Sequence, residues 1–459
     1  METRPRRRPG SPLPRGPRRR RRSSIGNGDG VDRISGIPDD LLLQVLVRLR
    51  CVRSAARAGV LSRRWRGLWR RLPELYFRGV RPAALEAALA QVALPKLSLL
   101  DIDVFDRPGF SAAGFAALLR TAARLDPVVL RLCVAVDRNN RDTAIKMPCF
   151  GRATTIRLAV IDGDLHLTPV TEGGGFPVLE SLCVLGCHLD AGSVISRSPR
   201  LRVLELRHSQ DSSTIMVHST TIEKLVVSSP MVLGGIDIDA PMLKKFSLHA
   251  TMRGDFSMSL LAPMVVNHSW DCTFRRYPAA VGIHGMWCLY HLELLTKESS
   301  RILSLHILRP VVSLPHPRNL QEMFQFPNFS ALELHLKTRG HVYGPIVLNL
   351  LRTCNAIQKL KLLIDHCARS GEACQPNCDC EQPQNWRSQN ISLMGLEEVE
   401  IDNLKGSGHE VDFLKLLFRC APLTKVIVNL TYKEERVSKG CKEIYNVFKE
   451  IEWHQPQML

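Results

Sequence analysis

The sequence predicts an α/β repeat protein: a three-helix module near the N-terminus, then a solenoid of leucine-spaced repeats whose strands form a curved parallel sheet. Three observations carry this expectation. Leucine recurs along most of the 459 residues while aromatic residues make up only 6%, as stacked thin layers require. An apolar pattern returns every 21–22 residues through the middle of the chain. A run with helical periodicity, opened by Pro38-Asp39-Asp40, precedes the repeats. The chain is long enough for two or three domains or one extended array, and its 45% hydrophobic content is that of a folded protein.

The helical module spans residues 34–75. Pro38 suits a first helical turn, where its missing N–H costs nothing, and Asp39 and Asp40 complement the helix dipole. Leu41, Leu42, Val45, Leu46 and Leu49 then share one helical face. Ser54 and Ser62 stand where they would N-cap two further short helices. The last of these would carry Trp65, Leu68, Trp69 and Leu72 at i, i+3, i+4 and i+7. About 40 residues cannot bury this much apolar surface alone, so the module needs a partner or a neighbouring domain.

The repeats follow. Leu179, Leu182, Val184, Cys187 and Leu189 fit the leucine-rich-repeat pattern L-x-x-L-x-L-x-x-N/C-x-L. The pattern returns at Leu201/Leu204/Leu206, Ile222/Leu225/Val227 and Leu243/Phe246/Leu248, with leading positions 22, 21 and 21 residues apart, and Val265 continues it. Pro177, Pro199, Pro241 and Pro263 each stand two residues ahead of a copy. Weaker copies lie at Phe329/Leu332/Leu334, Ile357/Leu360/Leu362, Leu396/Val399/Ile401 and Leu423/Val426/Val428, and residues 97–136 hold strands at less regular spacing. One such stripe is ordinary core; a sustained period means that each strand buries its face against the next repeat, with helices or loops behind. The period fails near residues 270–325, where an irregular or inserted stretch is expected. Two amphipathic helices, one with Val411, Phe413, Leu414, Leu417 and Phe418, the other with Cys441, Ile444, Phe448 and Ile451, are placed to close the array.

The formal charge of +18 is uneven: residues 1–30 hold ten Arg against Glu2 and Asp29, and residues 31–80 hold eleven Arg against four acids. The remaining 379 residues carry only +3, which disfavours a nucleic-acid groove through the body. The first 30 residues, rich in Arg, Pro, Gly and Ser, are expected to be disordered. Their clusters Arg6-Arg7-Arg8 and Arg18 to Arg22 resemble a nuclear localisation signal, with a solvated tail as the alternative, so a nuclear or cytoplasmic location is expected. Fourteen scattered cysteines and no apolar signal core point to mostly reduced thiols, and no stretch suits a bilayer.

The stretch from Asp32 through Pro38-Asp39-Asp40-Leu41-Leu42 to Val60-Leu61-Ser62-Arg63-Arg64-Trp65 resembles the F-box. Leu396-Glu397-Glu398-Val399-Glu400-Ile401 with Ala421-Pro422-Leu423 is similar to the FBD region of plant F-box proteins that carry leucine-rich repeats. After the tail at 1–30, the resemblance implies an F-box at 31–78, a leucine-rich-repeat region at 79–390, and an FBD region with C-terminal cap at 391–459. It also implies the substrate receptor of a Skp-cullin-F-box ubiquitin ligase. Pro38, Leu42, Leu46, Val60, Leu61 and Trp65 would dock a Skp-type adaptor joined to a cullin, and the repeats would bind an unidentified target protein. The alternative is an interaction scaffold without ligase activity. Ile37 stands where the family usually has Leu, and Arg50-Cys51-Val52-Arg53 replaces a Pro-containing turn, a change expected to loosen that loop.

Phosphate-loop, G-x-S-x-G and H-E-x-x-H motifs are absent, in keeping with a non-catalytic receptor. Single histidines such as His166, His188, His208 and His249 read as structural or surface residues. Only His366-Cys367, Cys374, Cys378 and Cys380 form an unusual constellation. The expectation is a reduced loop with no metal and no cofactor. A tetrahedral zinc on Cys367, Cys374, Cys378 and Cys380 is the alternative, opposed by the tight Cys378-x-Cys380 spacing.

Overall fold

The computed structural model describes residues 36–452 apart from 106–108, 138–142, 162–164, 170–173, 208–213, 275–277, 283–284, 299, 311–313, 315, 353–355, 367–373, 375–377 and 432–438. The Arg-rich tail, His208 and Cys367 therefore lie outside the described residues.

The N-terminal module departs from three α-helices. Helices α1 (Asp39–Arg48) and α2 (Val52–Arg57) form, but the chain then makes 3-10 turns at Ala58–Val60, Arg63–Trp65 and Leu68–Arg71. Gly67, with φ +76°, separates the last two turns and prevents one continuous helix. The apolar periodicity still reports burial: Trp65, Leu68, Trp69 and Leu72 all lie inside. Neither serine caps as expected. Ser54 falls within α2, whose N-cap is Cys51, and Ser62 makes no side-chain cap bond. The altered turn is well formed, since Arg50 takes a left-handed φ of +45° and its N–H donates to the Val47 carbonyl.

Strand β1 (Glu74–Arg78) leaves the module directly, and Leu72, Leu75 and Phe77 join the module's interior to that of the sheet. Helix α3 (Pro82–Ala90), β2 (Leu99–Val104), α4 (Ala112–Arg124) and β3 (Val129–Ala135) follow, the three strands parallel and in register. From β3 to residue 261 most repeats lay down two strands: β4 (Thr143–Met147), β5 (Thr155–Ile161), β6 (Leu165–Pro169), β7 (Ser181–Leu185), β8 (His188–Leu189), and, after α5 (Ala191–Ser196), β9 (Val203–Arg207) and β10 (Ile215–His218). In β11 (Lys224–Asp239) and β12 (Lys245–Leu261) the two strands merge into one, with register shifts between Ser229 and Val232 and between Leu233 and Gly235. Behind the main sheet of this region lies a second parallel ladder, β4–β6–β8, where helices or loops were anticipated.

Strands β13 (Asn267–Thr273), β14 (Ala279–Val281), β15 (Trp287–Lys297) and β16 (Ser300–Leu308) occupy the stretch where the period fails, and β15 pairs antiparallel with each of the other three. After α6 (Leu320–Phe324) the parallel order resumes with β17 (Ala331–Lys337), α7 (Gly344–Arg352), β18 (Lys359–Asp365), β19 (Glu398–Leu404), α8 (Gly408–Cys420), β20 (Lys425–Leu430) and α9 (Lys439–Glu452). The fold is thus mixed α/β, with one large, mostly parallel and open sheet.

The recurrent prolines have a physical role. Pro177, Pro199, Pro241 and Pro263 each occupy the second position of a turn closed by an N–H···O=C bond: Leu179 to Phe176, Leu201 to Ser198, Leu243 to Ala240, and Val265 to Ala262. Proline's fixed φ suits that position. The copy at Ile222 has no proline, and there the Ser219 hydroxyl accepts from the N–H groups of Thr221 and Ile222. These turns set strand register: Val203, Lys224, Lys245 and Asn267 pair in sequence across β9, β11, β12 and β13. At the far end a capping box between Ser407 and Glu410 starts α8, and Phe418 meets Phe448 of α9 edge-on. In α9, Ile444 is buried as expected; the side chains of Cys441 and Ile451 lie outside the described residues.

Candidate interaction surfaces and a thiol cluster

Helix α1 carries more apolar surface than its module covers. At about 100° per residue, Leu41, Val45, Leu49, Leu42 and Leu46 spread over roughly 140° of the helix. Leu42 and Leu46, on one edge of that arc, are 1% exposed, whereas Leu41, Val45 and Leu49, on the other, are 45–48% exposed. Val60 and Leu61 stand out further, at 88% and 73%. Of the residues expected to dock an adaptor, Pro38, Val60 and Leu61 therefore face solvent, while Leu42, Leu46 and Trp65 are core. That corrects the expectation that Leu46 and Trp65 await completion by a partner: both are already buried within the chain, where α1 packs on the Leu68–Arg71 turn and α2 packs on β1. Asp39 holds the two halves of the module together through Arg64 at 2.8 Å.

The outward face of the main sheet is polar and ordered. One row, in register across strands, runs Asp101, Arg131, Arg157, Cys183, Glu205. The next row, farther along, runs His249, Asp271, Glu293, Ser304, Glu333, Lys361, Glu400. Ion pairs Arg78–Asp101 at 2.7 Å, Lys224–Glu205 at 2.7 Å and Lys361–Glu400 at 2.6 Å lie along it. Glu205 is held below the usual carboxylate range chiefly by Lys224. A groove of about 510 Å³ opens between Asp101 and Glu205. Such alternating charge selects partners by complementarity.

Histidines also line this face. His306 stacks on His335 with ring centroids 4.0 Å apart, and His291 lies 4.8 Å from His306. Burial, with His335 and His291 alongside, pushes His306 down to about 4 from the usual 6.5. A histidine whose folded pKa is depressed stabilises the fold above its unfolded value, and that contribution is lost as pH falls towards the folded value. The denaturation midpoint should therefore fall between pH 6.5 and about 4, and His306→Gln should flatten the decline; an identical slope in the variant removes His306 from the account. His166 and His188 stack on the second ladder, and His249 bonds Asp271 at 2.9 Å.

A third feature lies between β18 and β19. Sulfurs of Cys374, Cys378 and Cys380 and a ring nitrogen of His341 lie within 4.8 Å of one another. His366, expected beside these thiols, instead meets the Asn403 carbonyl at 2.8 Å and the buried Glu410 at 3.4 Å. His341 escaped sequence reading because it is 37 residues from Cys378, with only the turn after β17 to bring it near.

Comparison with known proteins finds local similarity to plant F-box proteins. An F-box/FBD/LRR-repeat protein of Arabidopsis thaliana is 54% identical over 46 residues, which is 10% of either chain. An F-box/LRR-repeat protein of the same plant is 48% identical over 52 residues, 11% of this chain and 17% of its own. An FBD-associated F-box protein, also from Arabidopsis, is 43% identical over 58 residues, 13% and 12% of the two chains. The chain is similar to plant F-box/LRR/FBD proteins. The matched segments span only 10–17% of the relatives' own length. No family model matches the chain. No solved structure matches it.

Proposed function

We propose that this chain is the substrate receptor of a Skp-cullin-F-box type ubiquitin ligase, its N-terminal F-box docking a Skp-type adaptor and its leucine-rich-repeat sheet binding a target protein. The observation that carries the reading is the bare apolar surface at Leu41, Val45, Leu49, Val60 and Leu61 on a module whose other apolar residues, Leu42, Leu46, Trp65 and Leu68 among them, are already buried. Exposed clusters of this kind mark interaction sites. Similarity to proteins named for an F-box, leucine-rich repeats and FBD supports it. Nine Arg between Arg48 and Arg71 would speed capture of an acidic adaptor more than they would tighten the complex. The receptor contributes proximity rather than chemistry, raising the effective concentration of a target lysine near the charged enzyme. Co-purification of the full chain with a Skp-type adaptor and cullin tests the reading; an unmutated chain that never recruits the adaptor leaves an interaction scaffold in its place.

The Arg-rich tail belongs to the same proposal as a nuclear address. Deleting residues 1–30 should move a fluorescent fusion towards the cytoplasm and leave the melting temperature unchanged. An unaltered distribution removes the targeting role.

A further inference from the structure

The connection from β18 to β19 runs from residue 366 to 397, longer than a whole regular repeat, and its described residues hold only two 3-10 turns, at Asp379–Glu381 and Trp386–Ser388. Connections of more than about 15 residues are uncommon in packed domains, and those that occur are usually functional or serve as linkers. The thiol cluster stands where this connection meets the turn after β17. Cys374 Sγ lies 3.4 Å from Cys380 Sγ, and Cys378 Sγ lies 3.5 Å from His341 Nδ1. Zinc–sulfur bonds of about 2.3 Å and zinc–nitrogen bonds of about 2.0–2.1 Å at tetrahedral angles put ligand atoms roughly 3.5–3.8 Å apart. Both edges of the cluster are already close to those lengths. The sulfur separation is far beyond the ~2.05 Å of a disulfide.

The supports on either side are fixed by backbone bonds. Thr338 N–H donates to the Asp365 carbonyl at the end of β18, and His341 N–H donates to the Thr338 carbonyl, holding the imidazole over the connection. On the other side, Cys378 opens the Asp379–Glu381 turn in an extended conformation and its carbonyl accepts from Glu381 N–H. The tight Cys378-x-Cys380 spacing is thereby accommodated, since the turn brings both sulfurs to one point.

We propose that His341, Cys374, Cys378 and Cys380 bind one zinc ion as a closed Cys3His site that staples the β18–β19 connection to the turn after β17. Three thiolates and one imidazole are the soft tetrahedral set that selects zinc. Four protein ligands leave no open position, so the site is structural. On binding, the hydrated ion loses its waters and the three thiols release three protons, giving a site of net charge −1 with no change of oxidation state. The proposal replaces the expectation of a metal-free loop, and it places His341 where Cys367 stood in the sequence-based ligand set.

The full chain, purified after expression with zinc, should carry about one zinc per molecule by elemental analysis. Exchange with cobalt should give thiolate-to-cobalt charge-transfer absorption and the intense d–d bands of a tetrahedral ion, both abolished by zinc. Cys378→Ser and His341→Ala should lower the metal to background, Cys367→Ser should keep it, and His341→Cys should keep it while moving the cobalt d–d bands to lower energy. A full chain that holds no stoichiometric zinc, or a weak octahedral cobalt spectrum, overturns the site without recourse to any variant. Stoichiometric metal in Cys378→Ser, or its loss in Cys367→Ser, overturns the ligand set.

Discussion

Val60→Ala combined with Leu61→Ala should abolish co-purification with a Skp-type adaptor and leave the melting temperature where it was. Both side chains are largely in solvent, at 88% and 73% exposure, so their truncation removes almost no buried surface from the free chain. As central anchors of an interface, each should cost at least about 2 kcal/mol, roughly thirty-fold in affinity. Leu46→Ala combined with Trp65→Ala is the opposite experiment. These two are 1% and 8% exposed, and buried Leu→Ala and Trp→Ala changes cost about 2–5 and 3–5 kcal/mol, enough to unfold the module. That pair should lose adaptor binding together with α1 and α2, detected as faster proteolysis before residue 74. The surface pair should lose binding alone. Adaptor recruitment unimpaired in the surface variant would sink the docking assignment.

The contrast between the two pairs shows what sequence can and cannot say about such a module. Periodicity alone grouped Leu41, Leu42, Val45, Leu46 and Leu49 on one face, because an arc of apolar residues looks the same whether one neighbour covers it or two share it. Only the packing of α1 on the Leu68–Arg71 turn divides the arc into a buried and an open edge. The repeats were more legible. Each copy from Leu179 to Leu248 buries its leading residues, since the strand period, the preceding turn and the stacking all favour one register. The paired strands at β4, β6 and β8 were not legible: they recur only three times, and β8 keeps just His188 and Leu189, so no repeat emerges. For the thiol cluster, sequence proximity offered His366 and Cys367, yet the imidazole that arrives is His341, delivered by a turn whose purpose shows only in three dimensions.

Trp386 offers the sharpest energetic test of that same region. It is completely buried, and Gly344, the first residue of α7, lies beneath it so closely that a Cβ there would come within 2.6–3.0 Å of three ring atoms. Arg387 covers the indole at 4.6 Å and is tied to Asp412 of α8 at 2.8 Å and to Glu381 at 3.1 Å. The tryptophan is thus the apolar wedge between the connection, α7 and α8. Trp386→Ala should cost about 3–5 kcal/mol, and Gly344→Ala about 1–3 kcal/mol through forced displacement of the ring. The two changes should not add. In the double variant the new methyl enters space the indole has vacated, so the combined loss should fall short of the sum by about 0.5–3 kcal/mol. Denaturant midpoints for the four proteins of the cycle, with proteolysis of residues 366–397 as the local reporter, measure that coupling. Strict additivity would mean that Gly344 is small for a reason other than the ring above it, and the wedge would have to be abandoned.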